Sequence, residues 1–314
     1  MKKEKRIWRC DLKEPCIKAC ESENDKHLCG IYLKDKKLKE EKMEETRREK
    51  KIKCEIYNDN FQNSKRYNIP KAQLVIADIP YNLGNNAYAS SPSWYKDGDN
   101  KNGESKKAGK AFFNTDNSFN LVEYMHFCSR MLVKEPKEKG KSPAMIIFCA
   151  FDQMHMLIEL GKRYGFPNSY PLFFIKKSSP QALKANMKIV GATEHAVVLY
   201  RDKLPKFNNG RQVDENGKNI RGTGKMVLNW FNWERDGKEI PKIHPTQKPV
   251  NVLKKLIEVF TDEGDVIIDP CAGSGSTLRA AKELRRSSYG FEIMKDICKR
   301  ADEEMLVFQK NLFD

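Results

Sequence analysis

Short apolar runs rich in β-branched residues alternate along this chain with stretches whose apolar positions recur at helical spacing. An uninterrupted short apolar run is typical of a strand buried on both faces, and the helical spacing is typical of a helix that covers a sheet. Strands that alternate with helices predict an α/β fold with a doubly wound, largely parallel sheet. The predicted strands are residues 54–59, 74–77, 144–149, 172–176, 195–200, 266–268 and 288–292, and the predicted helices are 121–132, 152–163, 250–260 and 276–284.

One stretch near the C-terminus combines a strand, a glycine-rich turn and the start of a helix. The apolar run 266–268 leads into Asp269, and Gly273 and Gly275 then allow backbone angles and close ligand approach that other residues do not. A serine cap at Ser276 is expected to open the helix. Glu292 ends the next strand, where a nucleotide-binding βαβ unit places the acid that binds ribose hydroxyls. The stretch predicts a nucleoside site.

Two better-known phosphate-binding loops fit this stretch poorly. A P-loop needs a lysine directly before its Ser/Thr pair, and Gly275 stands there instead. A dinucleotide fingerprint needs a third glycine at the position of Leu278. A tight turn without a ligand is the alternative that the residues leave open.

A second motif lies far upstream, at the end of the apolar run 74–77. Asp78, Ile79, Pro80 and Tyr81 follow that run, so an acid and an aromatic ring stand at the carboxyl edge of the predicted sheet, where ligands of such sheets bind. Proline holds the preceding Ile79 extended, which exposes its carbonyl. Two acceptors and a stacking ring suit a planar exocyclic amine. A strand-end turn capped by Asp78 is the alternative.

Together the motifs resemble those of the DNA amino-methyltransferases. The segment 78–81 is similar to their D-P-P-Y motif, 269–277 resembles their S-adenosylmethionine loop D-P-F-x-G-S-G-T-T, and 244–249 looks like the segment that precedes this loop. The order, with the catalytic motif first, is that of the β class. The resemblance covers roughly residue 53 to the C-terminus. The chain departs from the family pattern at Ile79, which replaces a proline.

The resemblance implies a Rossmann-like, S-adenosylmethionine-dependent enzyme that methylates the N6 amine of a flipped adenine in DNA. Methylation of cytosine N4, of RNA or of a protein amide is the alternative within this chemistry, and an inactive zinc-dependent DNA-binding protein is the alternative outside it. The implied catalytic residues are Asp78, Ile79, Pro80 and Tyr81, and the implied cofactor contacts are Asp59, Thr246, Gln247, Lys248, Asp269, Pro270, Ala272, Gly273, Ser274, Gly275, Thr277 and Glu292.

Composition agrees with a DNA partner. The chain of 314 residues carries a formal net charge of +15, which points to a polyanionic partner. A basic protein without such a partner is the alternative. No apolar run is long enough to span a bilayer and no signal-peptide pattern occurs. The nine scattered cysteines argue against a disulfide framework. We therefore expect a cytoplasmic protein. A homodimer and a cognate restriction nuclease are further partners that the resemblance allows.

The N-terminal segment, residues 1–33, is rich in cysteine and histidine. Its thiolates and imidazole could close a four-ligand zinc site, and free thiols are an equally weighted alternative. A charged helical linker, 34–53, then precedes the methyltransferase domain, 54–314. Within that domain we expect a catalytic half (54–200), a short target-recognition region (201–243) and a cofactor half (244–314). Residues 85–120 are expected to form a DNA-contacting loop, and plain disorder is the alternative. The candidate zinc ligands are Cys10, Cys16, Cys20 and Cys29, with His27 as a substitute for Cys29.

Overall fold

The computed structural model describes residues 52–81, 119–177, 182–184, 189–212, 214–215, 218, 220–244 and 246–307. The chain divides between Ile52 and Lys53 into two units, and the description concerns the second. The cysteine-rich segment, most of the charged linker and most of the predicted DNA-contacting loop lie outside the described residues. No helix in the described ranges has the length and apolar content that a membrane span requires.

An eight-stranded sheet is the centre of the described unit. Its strands occur in the order β1, β10, β9, β2, β3, β7, β4, β8, and a separate pair is formed by β5 and β6. Seven strands of the large sheet run in one direction, and β7 alone runs against its neighbours β3 and β4. The predicted α/β fold with a largely parallel sheet is thereby confirmed. The strands are β1 (Cys54–Tyr57), β2 (Leu74–Asp78), β3 (Ala144–Cys149), β4 (Asn168–Lys176), β5 (Ala182–Lys184), β6 (Ile189–Val190), β7 (Thr193–Tyr200), β8 (Trp230–Trp233), β9 (Val266–Asp269) and β10 (Ser287–Phe291).

Helices cover both faces of the sheet, which explains why the central strands are apolar at every position. On β2, Leu74 and Ile76 pack into the cluster that holds the helices of the cofactor half, while Val75 and Ala77 pack into the cluster on the other face. Both clusters are almost fully buried. The helices are α1 (Leu121–Met131), α2 (Phe151–Arg163), α3 (Val250–Phe260), α4 (Ser276–Glu283) and α5 (Lys295–Arg300).

The strand order changes direction between β2 and β9, which pair through Leu74 with Ile267 and Val75 with Ile268. From β2 the chain proceeds to β3 on one side, and from β9 it proceeds to β10 on the other. Ligands of open α/β sheets bind in the crevice outside the carboxyl ends of the strands at such a point. This topology brings Asp78 and Asp269, the first residues of the two sequence motifs, to the same edge of the sheet.

Two local features differ from the sequence-based expectations. The serine cap predicted at Ser276 is wrong: α4 begins after Gly275, which has a φ of 77° and provides no side-chain cap. Glycine tolerates this left-handed conformation, so the turn geometry determines the start of the helix. Strand β8 was not indicated by the sequence. It extends the sheet from within the region 201–243 by pairing with β4, and Phe174 stacks on Phe231 with ring centroids 5.5 Å apart.

Candidate active site

The predicted catalytic motif, residues 78–81, begins at the last residue of β2 and is held by hydrogen bonds to β3 and α2. The Ile79 amide donates to the Phe148 carbonyl at 3.2 Å, which continues the ladder one residue past the strand. The Ile79 side chain is buried in the core. The Gln153 side chain then donates to the Pro80 carbonyl at 3.0 Å. The segment is therefore fixed on both sides of its proline, although it has one proline fewer than the motif that it resembles.

The two oxygens of Asp78 have different surroundings. Oδ2 lies 2.7 Å from the amine of Lys248, whose side chain is only 8% exposed. Oδ1 is buried and has no hydrogen-bond partner among the described residues. Burial raises the pKa of Asp78 above its ordinary value, and Lys248 opposes that rise. A buried carboxylate oxygen without a donor is costly, so this atom has an unfilled place for an N–H group.

Tyr81 is held by a residue that the sequence analysis missed. Its hydroxyl donates to Oε2 of Glu194 at 2.8 Å, and the other carboxylate oxygen of Glu194 is paired with Lys176. The amine of Lys248 lies 3.7 Å from Glu194 Oε2. Burial alone would raise the pKa of Glu194, but Lys248 and Lys176 hold it at about 2. Glu194 is therefore a carboxylate.

The reversed strand β7 explains how Glu194 reaches this edge. Because β7 runs against β3, its first residues lie beside the last residues of β3, and His195 pairs with Cys149. An acid at the start of a strand would lie at the opposite edge if the strand were parallel to its neighbours. The only sequence signal was a carboxylate directly before the predicted strand 195–200, and its meaning depended on the strand direction.

The glycine-rich turn lies across the crevice, at the end of β9. Asp269 is buried and accepts the Cys271 amide at 3.0 Å. Burial raises its pKa to about 7, in spite of the hydrogen bonds from Thr277 and Cys271. Glu292 follows β10, and its carboxylate accepts the amide of Gly273 at 3.0 Å.

The turn has an open backbone face of the kind that a nucleoside ligand would need. Gly273 has a φ of 49°, and a Cβ atom built on it would meet no other atom within 4 Å, so its face is open. The Ala272 amide donates to the Phe291 carbonyl at 2.8 Å, which keeps the turn close to β10. Ser274 and Thr277 are buried beneath the turn with Pro270. The carboxylates of Asp269 and Glu292 therefore border an open backbone face. Carboxylates accept hydrogen bonds from hydroxyl groups and attract cations.

The remaining predicted cofactor residues have local partners. The Asp59 carboxylate accepts from the Asn60 amide, the Asn63 side chain and the Tyr67 hydroxyl. Thr246 contacts His244. The Gln247 side chain accepts the Ile243 amide and donates to the Pro241 carbonyl. Their cofactor contacts stay predictions, as does that of Lys248, whose amine the structure directs to Asp78.

The predicted zinc ligands Cys10, Cys16, Cys20 and Cys29 lie outside the described residues. Among the described residues, no group of three or more His, Cys, Asp or Glu side chains is arranged to hold a metal ion.

Comparison with known proteins gives one family match. Residues 72–303 match the family described as DNA methylase. The type II methyltransferase M.HindIII of Haemophilus influenzae is 43% identical over 185 residues, which is 56% of this chain and 55% of that protein. The DNA adenine methyltransferase YhdJ of Escherichia coli is 25% identical over 276 residues, covering 82% of this chain and 83% of that protein. The match thus spans 55% of the length of M.HindIII. It spans 37% of the length of the type II methyltransferase M.BglII of Bacillus subtilis, which is 31% identical over 135 residues.

Among solved structures, the complex of M1.HpyAVI with SAM has a TM-score of 0.54 at 20% sequence identity, and the match covers 81% of this chain and 99% of that chain. At this identity the likeness concerns the fold. The shared fold is the largely parallel sheet with helices on both faces.

Proposed function

Because this chain belongs to the DNA methylase family, we propose that it is a site-specific DNA methyltransferase that transfers a methyl group from S-adenosylmethionine to the N6 amine of a flipped adenine. The observation that carries the proposal is Asp78 Oδ1, a buried acceptor without a donor at the catalytic edge of the sheet. An exocyclic amine supplies the N–H group that this oxygen lacks.

The substrate amine is proposed to bind between Asp78 and the Ile79 carbonyl. Each accepts one N6 hydrogen, which directs the nitrogen lone pair toward the crevice that separates β2 from β9. Tyr81 stacks on the extruded base. An amine conjugated with a ring is a poor nucleophile, so placement of the reactants supplies much of the acceleration. As the new N–C bond forms, the bond between the sulfonium sulfur and the methyl group would break and leave a neutral thioether. The amine releases one proton, and Asp78 is placed to receive it.

The cofactor is proposed to lie along the turn from Asp269 to Thr277. Glu292 accepts the ribose hydroxyls in addition to the Gly273 amide, since each carboxylate oxygen has two lone pairs. Asp269 faces the cationic part of the ligand, which compensates a carboxylate that is buried in this structure. When bound, S-adenosylmethionine supplies an electrophilic methyl group. Asp59, Thr246 and Gln247 complete the proposed binding site.

DNA is the proposed partner, and the net charge of +15 supports it. The region 201–243 is proposed to read the target sequence. Apart from strand β8, much of this region is exposed, and it presents large apolar side chains to solvent: Met226 is 95% exposed and Leu228 is 56% exposed. Exposed apolar side chains of this size are typical of interaction surfaces.

Adenine is preferred over cytosine as the target because the motif begins with an acid. In the family that the motifs resemble, Asp heads the motif mainly in adenine enzymes, and Ser heads it mainly in cytosine-N4 enzymes. The similarity to a protein whose name specifies DNA adenine methylation supports the same choice. Both bases present an amine beside a ring nitrogen, so cytosine N4 is the second candidate.

Three further proposals concern the whole protein. Cys10, Cys16, Cys20 and either Cys29 or His27 bind a structural zinc ion. The enzyme works in the cytoplasm, where its DNA substrate would be found. A homodimer partner and a cognate restriction nuclease are the further partners that we propose.

The proposal is tested by incubating the protein with genomic DNA and methyl-labelled S-adenosylmethionine. We expect label in DNA and none in RNA or protein. A protein that binds the cofactor but labels no DNA would instead be an inactive member of the family. A protein that does not bind it at all would contradict the cofactor assignment.

A further inference from the structure

Four charged side chains form a continuous network at the catalytic edge. They alternate in sign in the order Lys176, Glu194, Lys248, Asp78, and the contacts between them join β4, β7, the segment before α3, and β2. We propose that Lys248 and Glu194 are positioning residues of the methyl-transfer site: Lys248 holds Asp78 so that only Oδ1 is offered to the substrate amine, and Glu194 holds the Tyr81 ring by its hydroxyl. This inference rests on the proposed function.

Lys248 has a fixed position from which to orient Asp78. Its amine lies 5.5 Å from the ring centroids of Tyr81 and Phe148 and 5.8 Å from that of Trp233. Three aromatic faces around one ammonium stabilise it by cation–π attraction. With Oδ2 of Asp78 bound at 2.7 Å, rotation of the carboxylate is restricted. Of the two carboxylate oxygens of Asp78, only Oδ1 is therefore offered to an amine that enters the crevice.

Lys248 also keeps Asp78 able to accept. Burial favours the neutral acid, and a protonated Asp78 could present an O–H group to the substrate N–H group. The positive charge of Lys248 favours the carboxylate. Burial alone would lower the pKa of Lys248, but Asp78 and Glu194 raise it, so Lys248 is a cation.

Other titratable groups face this network. His195, next to Glu194 on β7, feels the charge of Glu194, and His244 feels that of Lys248; burial lowers the pKa of both imidazoles. Tyr81 donates to Glu194, and Cys149 on β3 feels the charges of both Asp78 and Lys248. Asp269 on β9 and Cys271 after it feel the charge of Asp78 from the cofactor side. Burial raises the pKa of both cysteine thiols, so neither thiol adds a negative charge at neutral pH. Lys248 and Lys176 supply the positive charges that pair with Asp78 and Glu194.

Glu194 fixes the ring that is proposed to stack on the base. The Tyr81 hydroxyl donates to Glu194 at 2.8 Å, and Lys176 holds Glu194 from the other side. At the backbone end, the Pro80 carbonyl is bound by Gln153. A ring fixed at its hydroxyl and beside its backbone retains one orientation before the substrate arrives, so less ordering remains to be done on binding.

The first test compares Lys248→Met with Lys248→Arg in single-turnover methyl transfer between pH 5.5 and 9. We expect Lys248→Met to lose about 100-fold in rate at neutral pH, the loss typical of a misplaced reactive group. Its acidic limb should move to higher pH, because Asp78 must still be ionised. Lys248→Arg keeps the charge, so it should recover most of the rate and the acidic limb of the unmutated protein. Lys254→Met is the matched control, since Lys254 pairs with Glu283 on α4 instead.

The second test is a double-mutant cycle of Glu194→Gln and Tyr81→Phe, which tests the role of Glu194 whether or not Lys248→Met folds. Tyr81→Phe keeps the ring and removes only the hydroxyl. We expect each variant to lower the single-turnover rate by a similar factor and the pair to lower it no further. Cofactor affinity should change less than twofold in both variants.

Two results would overturn the inference while leaving the proposed function in place. One is a Lys248→Met protein whose acidic limb matches that of the unmutated protein, or whose defect is confined to cofactor affinity. The other is strictly additive losses from Glu194→Gln and Tyr81→Phe. An unmutated protein that methylates no DNA would instead contradict the proposed function itself.

Discussion

The amide of Ile79 donates a hydrogen bond of 3.2 Å to the carbonyl of Phe148, and a proline at position 79 could not make this contact because proline has no N–H group. The Ile79 side chain is also 2% exposed and packs into the core. The chain thus holds its catalytic motif by a ladder bond and by packing, where the motif that it resembles has a second proline.

This contact leads to a first prediction, for Ile79→Pro. The substitution removes the amide N–H group that donates to the buried Phe148 carbonyl. It also replaces the buried isoleucine side chain by the smaller proline ring, which leaves space in the core. We expect a loss of about 2 kcal/mol in the free energy of unfolding, with methyl transfer largely retained because the carbonyl at position 79 survives. Denaturant melts and rate assays measure the two effects. Unchanged or higher stability in Ile79→Pro would show that the ladder bond contributes nothing.

A second prediction concerns Asp78→Asn. The cation of Lys248 should bind the oxygen of the new amide, which turns its NH2 group toward the substrate amine, so that donor faces donor. We expect methyl transfer to fall about 10²- to 10³-fold, as for other single catalytic hydrogen bonds. Cofactor affinity, measured by calorimetry, should stay within twofold, because the partner of Asp78 is the base. Undiminished transfer would contradict the mechanism.

The third prediction concerns pH and Asp269. Its pKa in the folded protein is about 7, above the ordinary value, so the folded state holds more protons than the unfolded state between about pH 4 and 7. Through this group, the stability of the free protein should fall as pH rises across that window. Affinity for the cationic cofactor should rise over the same range and level off above about pH 7, by at most roughly tenfold per pH unit.

Asp269→Asn is the control, because asparagine does not titrate. Thermal melts at pH 6 and 8, with and without S-adenosylmethionine, measure both slopes. Ligand at about 100 times its dissociation constant should stabilise the unmutated protein by roughly 2.7 kcal/mol. If stability and cofactor affinity depended on pH identically in the two proteins, Asp269 would not be the group that causes either dependence.

The fourth prediction is that purified protein contains about one zinc ion per chain, since a closed structural site takes four ligands. Elemental analysis after dialysis measures it. Substitution of Cys16 by serine should release the metal without loss of cofactor affinity, because the proposed cofactor residues lie in the other unit of the chain. Metal-free protein with unchanged stability would leave free thiols as the correct interpretation.

The sequence predicted the ends of β2 and β9 well because each motif is local. A β-branched run followed by an acid and a turn residue can be recognised without its neighbours, and both runs are strands of the sheet. Strand β8 was harder to see, because it is four residues long and its exposed face carries an apolar residue: Trp230 is exposed, whereas Phe231 packs on Phe174.

The network around Asp78 was out of reach for a different reason. Lys248 and Asp78 are far apart in the chain, and Glu194 reaches them only because β7 runs against β3. The apolar pattern of β7 is the same for either direction, so the sequence carried no signal of the reversal. The sequence therefore predicted Asp78 and Tyr81 as catalytic residues and Lys248 as a cofactor contact, but it did not predict Glu194 or the contacts that join these residues.

The proposed methylation of adenine is measured by treating DNA with the protein and S-adenosylmethionine, digesting the DNA to nucleosides and separating these by mass spectrometry. We expect N6-methyladenine, with none formed by Asp78→Ala. N4-methylcytosine alone would show that cytosine is the target and would leave the amine mechanism in place. DNA without any methylated nucleoside would contradict the proposed DNA methyltransferase activity.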